Sequence, residues 1–393
     1  MNTRALFMRH LAPTSPAPLG LEISSANGIY LRDSEGKVYR DLISGIAVSN
    51  LGHAHPEILK TIEEQASRNL HLMVYGELIQ APQVVLAKKL SDELPASLDC
   101  CYFVNSGSEA VEGAMKLARR YTGRSEIFSF NNAYHGSSMG ALSLMGCERL
   151  KSPFRPLLPG IRRLRLNHEP DLIQLDEQTA AVIIEPIQGE AGIRIAELSY
   201  LKALRKRCSE LGILLIFDEI QSGMGRCGSL FRFMQCQVIP DVLLTAKAFG
   251  GGLPLGAFIA GHEIMKALSE NPVLGHITTF GGHPLSCATA ITALRIIHEE
   301  GLMENAAERS LQFSENLRDL PGLKEIRRCG LLMALDFGDA ARVEKIVQAG
   351  LKHGLLLDWF LFDEGSVRIA PPLTITKEET EDCCERLRQA CRD

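Results

Sequence analysis

Apolar runs alternate with amphipathic stretches along most of this 393-residue chain. Short runs that are apolar throughout, such as 181–184, 213–217 and 242–244, are typical of strands buried on both faces of a sheet. Longer stretches with apolar residues three and four positions apart, such as 109–121 and 198–211, indicate amphipathic helices. Strands that alternate with helices predict an α/β fold with a largely parallel sheet covered by helices on both faces.

The same periodicities give the bounds of the predicted elements. Strands are predicted at 100–104, 126–130, 180–185, 213–218, 242–245, 331–337 and 367–369, and helices at 56–68, 109–121, 198–211, 286–300, 341–353 and 377–391. Turn residues at 33–36 predict a hairpin within 28–48. The order and spacing of strands and helices change towards the C-terminus. We therefore predict a large domain (46–285) and a smaller α+β domain (286–393). An N-terminal segment (1–45) is expected to pack against the smaller domain.

Composition limits the classes of function. Hydrophobic residues make up 46% of the chain and charged residues 23%, as in globular proteins, and a net charge of −5 offers no basic surface for nucleic acid. No apolar run is long enough to span a membrane, and the first ten residues lack the apolar core of a signal peptide. The eleven cysteines form no C-x-x-C motif and are odd in number, which fits a reducing compartment better than a set of disulfides. We therefore expect a cytoplasmic protein that binds neither nucleic acid nor membrane.

Two motifs could indicate other cofactors. His53 and His55 could bind a metal, but no second cluster of ligands supports one. Gly223–Gly228 matches G-x-G-x-x-G, yet no helical periodicity follows it and Asp218 precedes it instead of following it. We therefore expect neither a metal nor a dinucleotide.

Two charged residues stand at the carboxyl ends of neighbouring predicted strands. Asp218 ends one apolar run, and Lys247 follows the next. Ligand crevices in open α/β sheets lie outside the carboxyl ends of the strands. A lysine amine that bonds to an aldehyde and a carboxylate that keeps a pyridine nitrogen protonated are what pyridoxal phosphate (PLP) chemistry requires. The glycine-rich run 250–256 would give the lysine room in a crowded site.

Further candidates follow other predicted strands. Asn105–Ser108 lies between a strand and a helix, where backbone N–H groups and two serine hydroxyls suit a phosphate, although a simple helix cap by Ser108 is the alternative. Tyr134 could stack on a cofactor ring or belong to a surface turn. Glu185 and Glu190 follow an apolar strand and could be functional or merely solvated.

Taken in order, these motifs resemble the class III, PLP-dependent aminotransferases of fold type I, in particular the ornithine and acetylornithine aminotransferase branch. The resemblance runs through motifs at 42–48, 52–56, 105–110, 134–136, 185–190, 217–221, 223–226, 246–252, 278–282 and 368–372. It implies a large domain with a mostly parallel, seven-stranded sheet and PLP as cofactor. It also implies transfer of an ω-amino group from acetylornithine or ornithine to 2-oxoglutarate, a step of arginine biosynthesis that gives a semialdehyde and glutamate.

The resemblance also implies catalytic and cofactor-binding residues. Lys247 would hold PLP and carry protons, Asp218 would pair with the pyridine nitrogen, and Gln221 would contact the ring hydroxyl. The other cofactor-binding residues would be Ser106, Gly107, Ser108, Tyr134, His135 and Glu185, together with Thr279 of the partner subunit in a homodimer.

Glu190 and Arg368 resemble a substrate-binding pair. The arginine would bind the α-carboxylate of 2-oxoglutarate or glutamate, and the glutamate would mask it at other times. An arginine follows the aromatic-x-Gly turn in ornithine and acetylornithine aminotransferases, whereas this chain has Ser137. Tyr75 or Glu77, and the segment 358–362, are candidates for replacing its contacts. This departure leaves 4-aminobutyrate, lysine or a diamine open as the donor.

Two other functions stay open on the sequence. An aminomutase of the same fold, resembling glutamate-1-semialdehyde aminomutase, would need no external acceptor, whereas the Glu190–Arg368 pair favours a dicarboxylate that exchanges. A non-catalytic PLP-binding regulator is disfavoured, because Lys247, Asp218 and the phosphate-binding segment are all intact and we expect no appended DNA-binding segment.

Overall fold

The computed structural model describes residues 3–74 and 76–393. Within these residues the strands β1 to β17 are, in chain order, Ile23–Asn27, Tyr30–Asp33, Val38–Asp41, Cys100–Val104, Glu126–Phe130, Ile161–Leu164, Thr179–Ile184, Ile187–Gln188, Arg194–Ile195, Leu214–Asp218, Val242–Thr245, Gly256–Ala260, Glu325–Cys329, Leu332–Asp336, Leu355–Leu356, Asp358–Phe360 and Asp363–Ile369. The right-handed helices α1 to α13 are Thr3–His10, Pro56–Arg68, Ala81–Glu93, Gly107–Thr122, Met139–Leu144, Glu148–Lys151, Leu198–Leu211, Arg232–Cys236, His262–Met265, Pro284–Glu299, Leu302–Leu317, Ala340–Lys352 and Lys377–Ala390. None of these helices has both the length and the apolar character to cross a lipid bilayer.

A seven-stranded sheet forms the centre of the molecule, in the order β4-β12-β11-β10-β7-β5-β6. β12 is antiparallel to both of its neighbours, and the other four pairs are parallel. Every residue of β7, β10, β11 and β12 is buried, as expected where helices cover both faces of a sheet. The predicted α/β fold with a mostly parallel, seven-stranded sheet is therefore confirmed.

Most predicted elements agree with the observed ones to within two residues at each end. β17 is an exception because it begins at Asp363, four residues before the predicted strand. β12 was not predicted, because it begins inside the glycine-rich run that follows Lys247. A side chain at Gly256 would come within 2.5 Å of the Ser106 carbonyl oxygen, so the glycine lets β12 pass directly beneath the start of α4. Helix α3 was not predicted either, because its apolar residues Val84 and Val85 are exposed and the helix therefore lacks a clear apolar face in the sequence.

Two smaller sheets involve the C-terminal part of the chain. β1, β2 and β3 form one sheet with β15, in which Arg40 pairs with Leu355. β13, β14, β17 and β16 form the other. The N-terminal strands thus lie against the C-terminal part, and the division of the chain after residues 45 and 285 stays a prediction.

Arg226 links these parts of the molecule from the inside. Its side chain is fully buried, and its guanidinium donates to the carbonyl oxygens of Leu331 and Pro371 and to Asn50 Oδ1. Burial lowers the pKa of Arg226 to about 9. One buried cation therefore joins the segment before α2, the central region and the C-terminal sheet.

The turn Ser44–Ala47 has a left-handed backbone. All four residues have positive φ, between 52° and 63°. This conformation costs about 1–2 kcal/mol per residue for residues other than glycine, and Ile46 is β-branched, which makes its φ a clear outlier. The buried Asp41 carboxylate stabilises the start of the turn by accepting two backbone N–H groups at 2.7 and 2.9 Å. The last residue of the turn belongs to the same apolar cluster as Phe360.

Candidate active site

A cavity of about 250 Å³ opens beside the carboxyl ends of β7, β10 and β11. Its lining residues are Gly107, Ser108, Tyr134, His135, Gly136, Ser137, Glu185, Ile187, Glu190, Asp218, Ile220, Gln221, Ser222 and Lys247. Ten of the fourteen predicted site residues are in this lining. Of the other four, Ser106, Thr279 and Arg368 are outside it, and Tyr75 is not among the described residues.

The predicted phosphate-binding segment forms the start of α4. The Ser106 hydroxyl accepts a hydrogen bond from the Glu109 N–H at 3.2 Å, so the helix cap is Ser106 and not Ser108. Ser108 lies in the first turn and faces the cavity. A side chain at Gly107 would come within 2.8 Å of Ile220 Cδ1, so glycine allows the close approach here. The N–H groups of this first turn suit a phosphate anion.

Asp218 and His135 form a buried pair at the end of β10. Asp218 Oδ2 lies 2.7 Å from His135 Nδ1, and Asp218 Oδ1 accepts the Ile220 N–H at 3.1 Å. Burial alone would lower the pKa of His135, but the hydrogen bond to Asp218 and its charge raise that pKa. The pair presents a carboxylate that suits a protonated ring nitrogen.

Lys247 begins a 3₁₀ turn that is separated from β11 by one residue, Ala246. Its φ of 51° is uncommon for a residue other than glycine, and such conformations are concentrated at functional sites. Burial lowers the pKa of Lys247, whereas the charge of Glu190 raises it and that of Arg368 lowers it further. A lysine that gives up its proton more readily can serve as nucleophile and as base.

Glu185 joins two segments of the cavity wall. Its Oε1 accepts the Tyr134 N–H at 2.9 Å, and its Oε2 accepts the Gly189 N–H at 3.1 Å. Burial raises the pKa of Glu185 to about 7, and the charge of His135 opposes this. Glu185 and Glu190 are only 6% and 5% exposed, so neither belongs to a solvated loop.

Arg368 lies on β17, behind Glu190. Its Nη1 and Nη2 donate to Glu190 Oε1 and Oε2 at 3.0 and 2.8 Å. Gln221 Nε2 and the Leu361 N–H also donate to Glu190, at 3.2 and 3.3 Å. Burial opposes ionisation, but the charge and hydrogen bonds of Arg368 hold the pKa of Glu190 below its usual range. Glu190 thus covers the guanidinium on the side of the cavity.

Asp358 is a second partner of Arg368 that the sequence did not reveal. Asp358 Oδ1 lies 3.1 Å from Arg368 Nε. The residue was included only as the start of the segment 358–362, a candidate wall of the substrate site. Its link to Arg368 depends on the pairing of β16 with β17, which no pattern in this short segment predicts.

Glu112 is a second carboxylate that was not predicted. Its Oε1 accepts the Ser138 hydroxyl at 2.6 Å and the Gly140 N–H at 2.8 Å, and Ser138 Oγ lies 2.7 Å from Ser108 Oγ. Glu112 therefore ties the segment after Tyr134 to the predicted phosphate-binding helix. The available signal was its position four residues after Ser108, which places both side chains on one face of a helix.

Ser137 is exposed at the position of the expected arginine. The Tyr134 hydroxyl lies 3.3 Å from Ser137 Oγ. Tyr75, a candidate for the missing contacts, lies outside the described residues. Thr279 is exposed and does not line the cavity, so its contribution to a partner subunit stays a prediction.

The unpartnered polar atoms of the cavity fit PLP. Within the described part of the chain, the buried Gln221 Oε1 and His135 Nε2 have no hydrogen-bond partner. Gln221 Oε1 is an acceptor in the cavity lining, which suits the hydroxyl group of the PLP ring. The start of α4 suits the phosphate, and Lys247 and Asp218 line the same cavity.

Comparisons with known proteins point to the same chemistry. Residues 12–391 match the family model described as aminotransferase class-III. The chain is similar to the acetylornithine aminotransferase of Methanopyrus kandleri, with 39% identity over 372 residues that cover 93% of this chain and 92% of that protein. The acetylornithine aminotransferase of Archaeoglobus fulgidus is 38% identical over 364 residues, which cover 92% and 93%. A solved structure of the ornithine aminotransferase from Toxoplasma gondii, with PLP at partial occupancy in its active site, is similar with a TM-score of 0.90 at 30% identity and covers 98% of this chain and 93% of that one.

Proposed function

The chain belongs to the class III aminotransferases, and we propose that it moves the terminal amino group of N-acetylornithine or ornithine to 2-oxoglutarate. It is a PLP-dependent transaminase that acts on ω-amino groups. The names of its relatives support acetylornithine and ornithine as donors, and a place in arginine biosynthesis is part of the proposal. The observation that carries the proposal is the buried Glu190–Arg368 pair beside the cavity that contains Lys247.

In this proposal the cavity residues hold PLP. The first turn of α4, with Gly107 and Ser108, would bind the phosphate, Asp218 would face the ring nitrogen, and Gln221 would accept from the ring hydroxyl. When bound, PLP supplies an aldehyde that takes up the amino group and a ring that accepts electrons. Lys247 Nζ would remove the proton from the carbon that bears the donor's amino group, because burial lowers the pKa of this amine.

One cavity has to accept two kinds of substrate in turn. The donor brings a cationic amine, whereas the acceptor brings two carboxylates. The described lining residues include no arginine, and Glu190 covers Arg368 behind them. The cavity therefore offers no free guanidinium to a dicarboxylate in this state. When Glu190 turns away, the planar fork of Arg368 can bind a carboxylate through two parallel hydrogen bonds. The pair therefore supports alternation between the two substrates and disfavours an aminomutase, which needs no acceptor.

Ser137 favours a second class of donor. Ornithine and acetylornithine aminotransferases have an arginine at this position of the motif, and here the Ser137 and Tyr134 hydroxyls lie 3.3 Å apart instead. Two neutral hydroxyls bind a carboxylate less strongly than a guanidinium does. 4-Aminobutyrate, lysine or a diamine is therefore the second candidate donor.

A scan of single half-reactions tests the donor. Purified holoprotein is mixed with N-acetylornithine, ornithine, 4-aminobutyrate, lysine or putrescine, without acceptor, while the visible band of the PLP form is followed. Loss of the band with the first two amines supports N-acetylornithine or ornithine as donor. Loss only with the other three amines supports the second class of donor instead. Return of the band on addition of 2-oxoglutarate identifies the acceptor. No response to any amine would refute transamination of these donors.

The variant S137R is the matched control for the donor scan. It restores the guanidinium that this position has in the resembling enzymes. If Ser137 has changed the donor, the variant should gain activity with N-acetylornithine relative to putrescine. An unchanged ratio would mean that Ser137 does not contact the donor.

A homodimer with shared sites is part of the same proposal. Thr279 is flanked by exposed apolar side chains, Ile277 at 49% and Phe280 at 53% exposure, and Val273 nearby is 71% exposed. Clusters of exposed apolar side chains mark interaction surfaces. The molar mass in solution and the PLP affinity of F280D test this: a dimeric wild type and a monomeric variant with weakened PLP binding are expected. A monomeric wild type that binds PLP would refute it.

A cytoplasmic location also belongs to the proposal. All eleven cysteines are free thiols, which suits a reducing compartment. Fractionation of cells with detection of the native protein tests the location, and recovery outside the cytoplasm would contradict it.

A further inference from the structure

The hairpin of β16 and β17 surrounds the part of Arg368 that Glu190 leaves free. Asp358 lies directly opposite Arg368 in this antiparallel pair, and its Oδ1 forms an ion pair with Arg368 Nε at 3.1 Å, although neither of these buried atoms has a hydrogen-bond partner among the described residues. Arg368 Nη2 also donates to the Trp359 carbonyl oxygen at 3.3 Å, and the guanidinium lies over the Phe360 ring, 4.6 Å from its centroid. Glu190 thus occupies the Nη1–Nη2 edge of the guanidinium, and Asp358 occupies the Nε edge.

The two carboxylates around Arg368 differ in how firmly the backbone holds them. Glu190 lies in the turn between β8 and β9, outside the strands. Asp358 is the first residue of β16, and its partner across the sheet is Arg368 itself. Glu190 can swing away by rotation about its three side-chain bonds, whereas the shorter side chain of an aspartate within a strand pair stays beside its cross-strand neighbour. Asp358 is therefore the partner that remains when Glu190 leaves.

We propose that Asp358 is a positioning residue for the acceptor, which holds the Nε edge of Arg368 so that the Nη1–Nη2 edge stays directed at the cavity when Glu190 turns away. This inference rests on the proposed function, in which Arg368 binds a substrate carboxylate. Asp358 faces the Nε edge of Arg368 and not the Nη1–Nη2 edge that Glu190 covers on the side of the cavity, so it acts through Arg368. Without Asp358, the uncovered guanidinium keeps one carbonyl oxygen and one ring face among the described residues, and no charged partner fixes its direction.

The test compares two half-reactions that start from the same PLP form of the holoenzyme. L-Glutamate carries the carboxylate that Arg368 would bind, whereas N-acetylornithine reacts while Glu190 covers Arg368. In D358A, the dissociation constant for L-glutamate should rise about tenfold, which is the lower end of the loss of affinity seen when a residue that orients a binding group is removed. The dissociation constant for N-acetylornithine should change less than about twofold. D358N keeps the size of the side chain but removes its charge, so the dissociation constant for L-glutamate should rise as in D358A, whereas that for N-acetylornithine should again change less than about twofold.

Two further variants separate the possible failures. E364A removes a carboxylate from the same hairpin and should behave as the wild type, because among the described residues Glu364 forms an ion pair only with the exposed Arg149, at 2.9 Å. R368Q tests the premise: if it leaves glutamate binding unchanged, the proposed role of Arg368 fails. If R368Q abolishes glutamate binding while D358A leaves it unchanged, only the inference about Asp358 is overturned. Equal losses with both substrates in D358A would also overturn it, because they would show a general disturbance of the site.

Discussion

Removal of the Glu190 carboxylate tests whether masking of Arg368 decides which substrate binds. Glu190 accepts four hydrogen bonds, two from Arg368 at 3.0 and 2.8 Å and one each from Gln221 and the Leu361 N–H at 3.2 and 3.3 Å. All four have to break before L-glutamate can bind to Arg368, so their cost reduces the apparent affinity of the wild type. In E190A this cost is absent.

The structure sets the size of the expected effect. The carboxylate of L-glutamate replaces the two hydrogen bonds from Arg368, so the net cost comes from those of Gln221 and Leu361. These are long, so we count about 0.75–1.5 kcal/mol for each, half of the usual value for a charged acceptor. Together they amount to about 1.5–3 kcal/mol, which corresponds to about 10- to 150-fold tighter binding of L-glutamate in E190A.

Stopped-flow half-reactions with L-glutamate and with N-acetylornithine measure this change. The ratio of the two dissociation constants should shift towards L-glutamate by about tenfold or more. Asp358 remains beside Arg368 as a counter-charge, so E190A is expected to fold, and its thermal unfolding midpoint checks this. A folded E190A protein with the wild-type ratio would refute the masking role of Glu190.

Three further predictions concern the lysine, a titrating carboxyl and the buried arginine. K247A should no longer retain PLP covalently after borohydride treatment, as measured by mass, and its half-reactions should slow by about 10²–10⁴-fold or more; a variant that still reacts at the wild-type rate would exclude Lys247 as the base. Burial raises the pKa of Asp358 to about 6, so the folded protein keeps a proton there that the unfolded chain releases above about pH 4. The free energy of unfolding should therefore fall by up to about 3 kcal/mol as the pH rises from about 4 to about 6, and D358N should lack this fall; equal changes of the thermal midpoint in both proteins between pH 4.5 and 7 would contradict it. R226A should cost at least about 3 kcal/mol, because it leaves three buried oxygens without a donor, and a wild-type thermal midpoint would show that water replaces the guanidinium without loss.

The core of the fold and two of the site residues could be predicted from the sequence for a physical reason. β10 and β11 are buried on both faces, so each is apolar up to its last residue, and a charged residue at or just after its carboxyl end stands out. Because parallel neighbours end at the same edge of a sheet, Asp218 and Lys247 were expected to meet, and both line the cavity. The Glu190–Arg368 pair spans 178 positions and came from the resemblance alone.

Other parts of the site depend on contacts that a single sequence does not encode locally. Asp358 meets Arg368 through the register of β16, which has three residues and an irregular pairing with β17. The left-handed turn Ser44–Ala47 has only one glycine to signal it, and its geometry depends on the Asp41 carboxylate. β12 begins at a glycine because α4 lies against it, which is a property of the packed structure. In each case tertiary contacts override the local preference.

The contacts of Arg226 have a consequence for when the chain can fold during its synthesis. On the ribosome, its partners Leu331 and Pro371 emerge 105 and 145 residues after it. Until both have arrived, the guanidinium keeps its water, because burial of a cation without its acceptors is unfavourable. A nascent chain therefore cannot close this region before almost the whole polypeptide has been synthesised. Fragments that stop before Pro371 should stay open to proteases, so quality control would remove truncated products instead of leaving a folded, PLP-binding remnant.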